Sequence, residues 1–491
     1  MHVQLMLIYE RREKINLGLS MANAWTDPAM LLIFIGVLLF WTVATVALCA
    51  YELATYQQPK DEGWHGADGF VSFLVAIYIL RILYFSLYLR TGPAETTKYI
   101  VFADTPNGKD LKAAYGKTRI PVVTLYDAYF NLDLDFKGGV YQVLKDHRYD
   151  FIAWRPTMTL IKFLVQQFVP GISSSFKDKL STKKEIADHY DRGNDFFAAF
   201  LGESMVYTSG VFHGTHQTLE QAQFNKMSMI CNKLQIKKGY KCLDIGCGWG
   251  TLVRHMTREF GATATGVTLS KEGAKWCRDQ NVKEFGNADA TEILVNDYRD
   301  IPANRKFNAI SSVEMAEHVG LANFQLYLRE VKRLLTDDGM FVCQVSGIRQ
   351  NPNWEDVMWG LFMSRYIFPG ADASTPAWWY TKEFEKAGFN VHSLENVGVH
   401  YAHTIHRWYQ NWNKEEHKQH ILKQYDERLF RLWNIFLAWS ALAPVVSYGS
   451  CLQFLVYPAT RLFPRDIFCN PGPDNVSGKN TIGVGLHKDN M

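Results

Sequence analysis

Apolar positions along this chain follow two regimes. In the first, charge-free runs are long enough to cross a membrane. Met30 to Ala50 reads MLLIFIGVLLFWTVATVALCA, and at about 1.5 Å per helical residue it spans a hydrocarbon core of about 30 Å. Gly69 to Leu89 has the same span but contains Arg81. An unpaired charge at mid-bilayer costs roughly 2.5–3.5 kcal/mol on insertion scales, so Arg81 must pair or snorkel, or the segment lies in the interface or forms a buried helix. Arg11, Arg12 and Lys14 precede the first run, Lys60 lies between the two, and Arg90 and Lys98 follow the second. That distribution predicts a transmembrane hairpin with both ends cytosolic, residues 1–92 forming a membrane anchor. A cleaved signal peptide fits less well, because the apolar core starts late and is too long.

In the second regime, beyond Leu180, short continuous apolar runs alternate with amphipathic ones. They predict strands at Lys241 to Gly246, Ala262 to Leu269, Glu292 to Asn296, Phe307 to Val313 and Met340 to Val345, mostly with helices between them. Alternation of this kind describes a doubly wound α/β sheet buried on both faces. Trp354 to Ile367 and Leu429 to Val456 read as further helices covering one edge. Leu437 to Leu455 is uncharged, but Pro444, Gly449 and several serines make it a packed lid helix rather than a membrane span. Between the two regimes, residues 93–180 show no clear period. The run Ile120 to Leu125 and the amphipathic Thr157 to Val169 suggest a collar or linker lying on the bilayer. The α/β domain is expected over residues 181–460, followed by a tail, 461–491.

Composition narrows the partners. With 491 residues, 47% of them hydrophobic, the chain holds more than one unit and ample core material. Lys+Arg 52 against Asp+Glu 49 leaves a net charge of +3, too weak a field to argue for nucleic acid. The eight cysteines are scattered without a C-x-x-C pair, so they read as reduced, buried thiols facing a reducing compartment.

The chemistry begins at LDIGCGWGT, Leu243 to Thr251, a strand that ends in an acid and runs through glycines into a helix. Gly246, Gly248 and Gly250 let the backbone turn tightly and admit a nucleotide-type cofactor at the strand's C-terminal edge. The next strand ends Gly266, Val267, Thr268, Leu269, Ser270, with no carboxylate for a ribose diol. That argues against a nicotinamide dinucleotide.

Together LDIGCGWG, GVTLS, ADHYDRGNDFFAAFLGESMVYTSG (Ala187 to Gly210) and MAEHVG (Met315 to Gly320) resemble the cyclopropane-fatty-acyl-phospholipid synthase and mycolic acid methyltransferase family. Two N-terminal apolar spans and WGLFMSRYIFPGADASTP (Trp359 to Pro376) are similar to its membrane-bound branch, the fungal-type sphingolipid C9-methyltransferases. The resemblance implies a Rossmann-like, S-adenosylmethionine-dependent methyltransferase domain behind a two-helix membrane anchor. It assigns cofactor contacts to Tyr207, Thr208, Asp244, Gly246, Cys247, Gly248, Trp249, Gly250, Thr251, Thr268, Leu269, Ser270, Asp297 and Tyr298. Thr and Ser hydroxyls would replace the missing acid at the ribose, and Trp249 or Tyr298 would face the adenine, unless Trp249 is simply packed.

Glu317, followed by His318, matches the family's active-site carboxylate. Methylating an alkene leaves a carbocation that a nearby anion stabilises, and a proton must then leave. In the family the carboxylate holds a bicarbonate base alongside a Cys, a His and a Tyr. Here Ser209 stands for the Cys and Gln344 for the His, while Tyr401 matches. Bicarbonate is therefore in question, and the altered shell points to a branched alkene rather than a cyclopropane. His400, His403 and His406 recur at i, i+3, i+6, which fans the rings around a helix. They read as a polar face, with Arg407 and Trp408 near lipid headgroups, and no metal is expected. Trp378, Trp379, Tyr380 and Phe384 read as core or lipid-facing packing.

The expected enzyme is an endomembrane protein, of the endoplasmic reticulum or a related compartment, with a cytosolic catalytic domain and a ceramide or glucosylceramide substrate. The alternative is a cyclopropane-fatty-acyl-phospholipid synthase acting on unsaturated acyl chains; oligomeric state is left open.

Overall fold

The computed structural model describes residues 93–153, 193–214, 216–348, 354–368, 375–445 and 449–468. The two expected membrane spans, the Thr157 to Val169 stretch and most of the tail lie outside the described residues. Among the described residues no helix is long and apolar enough to cross a membrane. The chain divides into two units: one runs to Gly138 and takes in Asp146–Lys162, the other comprises Gly139–Lys145 and everything from Phe163 onward.

The smaller unit has its own core. Its elements are β1 (Ile100–Phe102), α1 (Pro106–Tyr115), β2 (Ile120–Pro121), α2 (Val122–Phe130), β3 (Leu134–Phe136), the C-terminal half of α3 (Val140–Phe151) and β4 (Ile152–Ala153), while Val140–Lys145 of α3 belongs to the larger unit. β1 pairs antiparallel with β3, and β2 parallel with β4. Pro106 sits in the first turn of α1, where its missing N–H is not needed, and the Thr105 side chain caps the turn by accepting from Gly108 N at 3.0 Å. The Ile120 to Leu125 run becomes β2 turning directly into α2, and Leu125, Tyr126, Tyr129 and Phe130 are buried.

The larger unit carries α4 (Asn194–Leu201), α5 (Leu219–Lys233), β5 (Lys241–Ile245), α6 (Thr251–Phe260), β6 (Thr263–Thr268), α7 (Lys271–Phe285), β7 (Glu292–Val295), β8 (Phe307–Val313), α8 (Phe324–Leu334), β9 (Leu335–Ile348) and α9 (Trp354–Phe362). It continues through α10 (Ala377–Lys386), β10 (Phe389–Asn396), α11 (Gly398–Trp412), α12 (Glu415–Gln424), α13 (Glu427–Ser440) and β11 (Gly449–Pro458). The sheet order is β10-β11-β9-β8-β5-β6-β7. β7, β6, β5, β8 and β9 are parallel, and β11 is antiparallel to both its neighbours. Along β5, Cys242 faces one core cluster, with Val253 and Met256 of α6, while Leu243 and Ile245 face another, with Tyr327 and Leu328 of α8. Burial on both faces explains why the strands read as continuous apolar runs.

Three expectations are corrected here. Leu429 to Val456 is not one helix, and Leu437 to Leu455 is not a lid helix: α13 stops at Ser440, and β11 enters the sheet between β9 and β10. Cys451 through Val456 are all buried, so β11 lacks the alternation that separates a strand from a buried helix. β9 is also longer than Met340 to Val345, because it carries β8 on one side and β11 on the other. Trp408, expected near headgroups, is 1% exposed. It packs with Phe200 of α4, in a cluster that also holds Trp412 and Trp433.

Candidate active site

Chain order reverses between β5 and β8: β6 and β7 extend one way from β5, β8 and β9 the other. The crevice above such a switch point is where open α/β sheets bind ligands, and the pocket lies there. Gly246, Gly248 and Gly250 have φ of 80, 53 and 72°, the left-handed region, and carry the chain from β5 into α6. A Cβ on Gly246 would stand 2.5 Å from Met315 Cγ, whereas nothing lies within 4 Å of one on Gly248, which borders the open pocket.

The structure brings all but one of the expected cofactor contacts to this pocket: Tyr207, Thr208, Asp244, Gly246, Cys247, Gly248, Trp249, Thr251, Thr268, Leu269, Ser270, Asp297 and Tyr298 line it. Gly250 does not; it caps α6 and abuts Cys277. Ser270 Oγ accepts from Gly273 N at 3.0 Å, capping α7, and Thr268 Oγ1 accepts from Ser270 N at 3.2 Å. Each hydroxyl hydrogen in those two bonds stays available to donate. Asp297 is gripped by Arg299 through bonds of 2.8 and 2.7 Å. Trp249 serves packing as well as the pocket wall: its Nε1 donates to Asn194 Oδ1 at 2.8 Å and its ring lies 5.1 Å from Phe197.

Two lining residues carry charge to which sequence reasoning gave no role of their own: Lys226, which it missed, and Glu314, which it read only as a second carboxylate beside Glu317. Lys226 of α5 is 2% exposed and donates to Thr208 Oγ1 at 2.6 Å. Burial pulls its ammonium down to about 8, opposed by the carboxylates of Glu314 and Asp244. Asp244, also buried, is pushed up to about 6 by desolvation, against the Ser311 hydroxyl that donates to it at 2.6 Å. The apolar periodicity of α5 was the available signal, since Lys226 shares its buried face with Met227 and Ile230.

The second is Glu314. Ser209, Gln344 and Tyr401, expected about Glu317, gather instead around Glu314. Its Oε1 accepts from Ser209 N at 3.3 Å, Gln344 Nε2 at 2.7 Å and Cys451 Sγ at 3.4 Å, and its Oε2 accepts from Tyr401 OH at 2.7 Å. Glu314 lies just past β8 with φ 53°, a conformation that costs a non-glycine residue roughly 1–2 kcal/mol. It lines the pocket with His318; Glu317 is not among the lining residues. Glu317 is 7% exposed and accepts from Ser346 N of β9.

Burial, reinforced by the charge of Glu314, pushes Glu317 up to about 8 from an ordinary 4.5. The folded protein thus keeps a proton that the unfolded chain gives up, so this group's stabilising contribution is complete below about pH 4.5 and lost as pH rises to about 8. Glu317→Gln, neutral at every pH, should flatten that decline and unfold at a higher urea concentration than the parent at pH 9. A parallel pH dependence in the two proteins would refute it.

His400, His403 and His406 lie on α11 as expected, but each is engaged. His400 Nδ1 accepts from Phe212 N at 3.2 Å, His403 meets the Phe212 ring at 5.8 Å, and His406 lies 4.3 Å from Tyr141. Among the described residues no group of three potential ligands is placed to hold a metal. Tyr380 and Phe384 are core, whereas Trp378 is 52% exposed.

The mixed sheet with its crevice at the β5–β8 reversal is the architecture of Rossmann-like, S-adenosylmethionine-dependent methyltransferases. The residues present fit that cofactor: glycines admit it closely, hydroxyls can donate to a ribose, and carboxylates face its positive charge. A family profile described as mycolic acid cyclopropane synthetase matches residues 177–454. Sphingolipid C9-methyltransferase 2 of Gibberella zeae is 41% identical over 341 residues, 69% of this chain and 64% of that protein. The chain spans just under two thirds of that relative's length. Sphingolipid C9-methyltransferase of Candida albicans is 39% identical over 405 residues, 78% of this chain and 77% of that protein. Among solved structures, the cyclopropane synthase MmaA2 of Mycobacterium tuberculosis aligns with TM-score 0.52 and 25% identity, covering 56% of this chain and 97% of that one. This chain belongs to the mycolic acid cyclopropane synthetase family.

Proposed function

We propose that this protein transfers a methyl group from S-adenosylmethionine to C9 of the unsaturated sphingoid base of a ceramide or glucosylceramide, leaving a 9-methyl alkene. The reading rests on one geometric observation: the cofactor pocket meets a ring of donors around Glu314 and an aromatic wall at the same point. Tyr207 lines the pocket and lies 5.6 Å from Trp408, which lies 6.0 Å from Tyr401, whose hydroxyl bonds Glu314. Phe368 extends the wall, 6.1 Å from Tyr207 and 6.3 Å from His318. Of these rings Tyr207 and His318 line the pocket and the others back it, an apolar surround that suits an acyl or sphingoid chain. S-adenosylmethionine, when bound, supplies an electrophilic methyl on a positively charged sulfur. Thr268, Ser270 and Asp297 are the groups to hold its polar portions, with Lys226 balancing Asp244.

Relatives named as sphingolipid C9-methyltransferases support the choice of lipid. Membrane attachment through residues 1–92, in an endomembrane with the catalytic unit cytosolic, accords with a two-chain lipid that does not leave the bilayer unaided. Membranes containing the full chain, given labelled methyl donor and either defined ceramide or glucosylceramide, should yield methyl-branched sphingoid bases by lipid mass spectrometry. Cyclopropyl phospholipid chains with unmodified sphingoid bases would replace this reading by the cyclopropane synthase alternative.

A further inference from the structure

We propose that Glu314 is the general base of this reaction, a carboxylate built into the chain that removes the proton from the methylated carbon. The inference rests on the function just proposed. Its ground is the hydrogen-bond polarity around Glu314. Lys233 Nζ can only donate, and it donates to Gln453 Oε1 at 2.6 Å. Gln453 Nε2 is thereby turned toward Gln344 Oε1, at 2.9 Å, and Gln344 Nε2 toward Glu314 Oε1, at 2.7 Å. An ammonium at one end of two buried amides fixes the direction of the whole relay, so Glu314 must accept at the other end. Ser209 N and Cys451 Sγ add two more donors to Oε1. The side chain is presented to the ring as an acceptor, the state a base requires.

The two oxygens differ in what remains. Oε1 takes three donors and Oε2 only the Tyr401 hydroxyl, so Oε2 keeps an acceptor position. Glu314 is half-buried and lines the cofactor pocket, whereas Glu317 does not. The left-handed backbone at Glu314 and its N–H bond to Gln344 O, 2.8 Å, hold the side chain across the end of β9. Ser209, Gln344 and Tyr401, which stand in the shell where the family resemblance places a bicarbonate, close on Glu314 itself.

The step balances as follows. The π pair of the alkene forms a bond to the methyl carbon, the sulfur–methyl bond breaks with its pair left on sulfur, and the neighbouring chain carbon becomes cationic. Glu314 Oε2 takes the hydrogen of the methylated carbon as a proton, and the C–H pair restores the double bond. Ser209, Gln344, Tyr401 and Cys451 position the carboxylate.

The test uses the full chain in membranes with glucosylceramide. Glu314→Gln should lose about 100-fold or more of kcat while binding S-adenosylhomocysteine within about threefold of the parent, by calorimetry. Turnover within about tenfold of the parent would overturn the assignment. Glu314→Gly suits the backbone at φ 53°; it should be inactive alone and regain turnover with added formate, and full turnover without formate overturns the proposal. The parent enzyme should be indifferent to removal of carbon dioxide from the buffer; a loss restored by bicarbonate also overturns it. Failure of the functional reading looks different: the parent itself then methylates no sphingoid base, and the role of Glu314 falls with it.

Discussion

Gly246→Ala should weaken S-adenosylhomocysteine binding by about 30-fold or more, measured by calorimetry on the purified full chain. Two effects add. The new side chain must accept φ of 80°, which costs roughly 1–2 kcal/mol. Its Cβ would also lie 2.5 Å from Met315 Cγ and 2.8 Å from Met315 Cβ. A clash with Cγ alone is relieved by rotating the side chain, but one that includes Cβ forces the main chain at Met315 to shift. Met315 follows Glu314 and lines the pocket, so the same displacement disturbs the carboxylate ring. At about 1.4 kcal/mol per tenfold, a combined penalty near 2 kcal/mol gives the stated factor. Equal affinities for the Gly246 variant and the parent would show that the pocket floor lies elsewhere.

Lys226→Met should lower unfolding stability by about 3 kcal/mol, with methyl transfer falling in parallel. Methionine conserves the bulk of the side chain on α5, so packing against the sheet is largely retained. What is removed is the cation that faces Glu314 and Asp244. Asp244 and Glu314 keep their own donors but lose the nearby buried cation, and deleting one member of a buried charge set costs about this much. Thr208 also loses the donor 2.6 Å from its hydroxyl. Urea denaturation at pH 7 measures the change; a shift under about 0.5 kcal/mol would mean that Lys226 does not balance the site.

Much of the catalytic unit was legible because parallel strands buried on both faces write themselves as apolar runs, and a glycine turn between strand and helix has few other uses. The order from Lys241 to Val313 came out within a residue or two at each strand end. Cys451 to Val456 failed as a strand for the same reason the others succeeded: buried on both faces, with Pro444 ahead of it, it mimics the end of an apolar helix. The choice between Glu314 and Glu317 was not readable either. Both follow β8, and which one enters the pocket is decided by the left-handed turn at Glu314, a conformation that no propensity assigns to glutamate. The partners were readable: Ser209, Gln344 and Tyr401 do converge, on the neighbouring acid. Trp408 shows the converse limit, since an aromatic flanked by Arg407 on a helix suits a headgroup contact by type, yet its face of α11 is turned inward onto α4.

β11 gives the molecule an order of assembly. The five strands β7, β6, β5, β8 and β9 are all synthesised before residue 349, and so is every residue that lines the crevice. Cys451 and Gln453, which complete and polarise the ring about Glu314, reach the ribosomal exit tunnel about a hundred residues later, on a strand that inserts between two already made. A nascent chain therefore contains every residue that lines the donor's pocket well before it contains the strand that orients Glu314, and the carboxylate is fully set only when the sheet is closed from its late end.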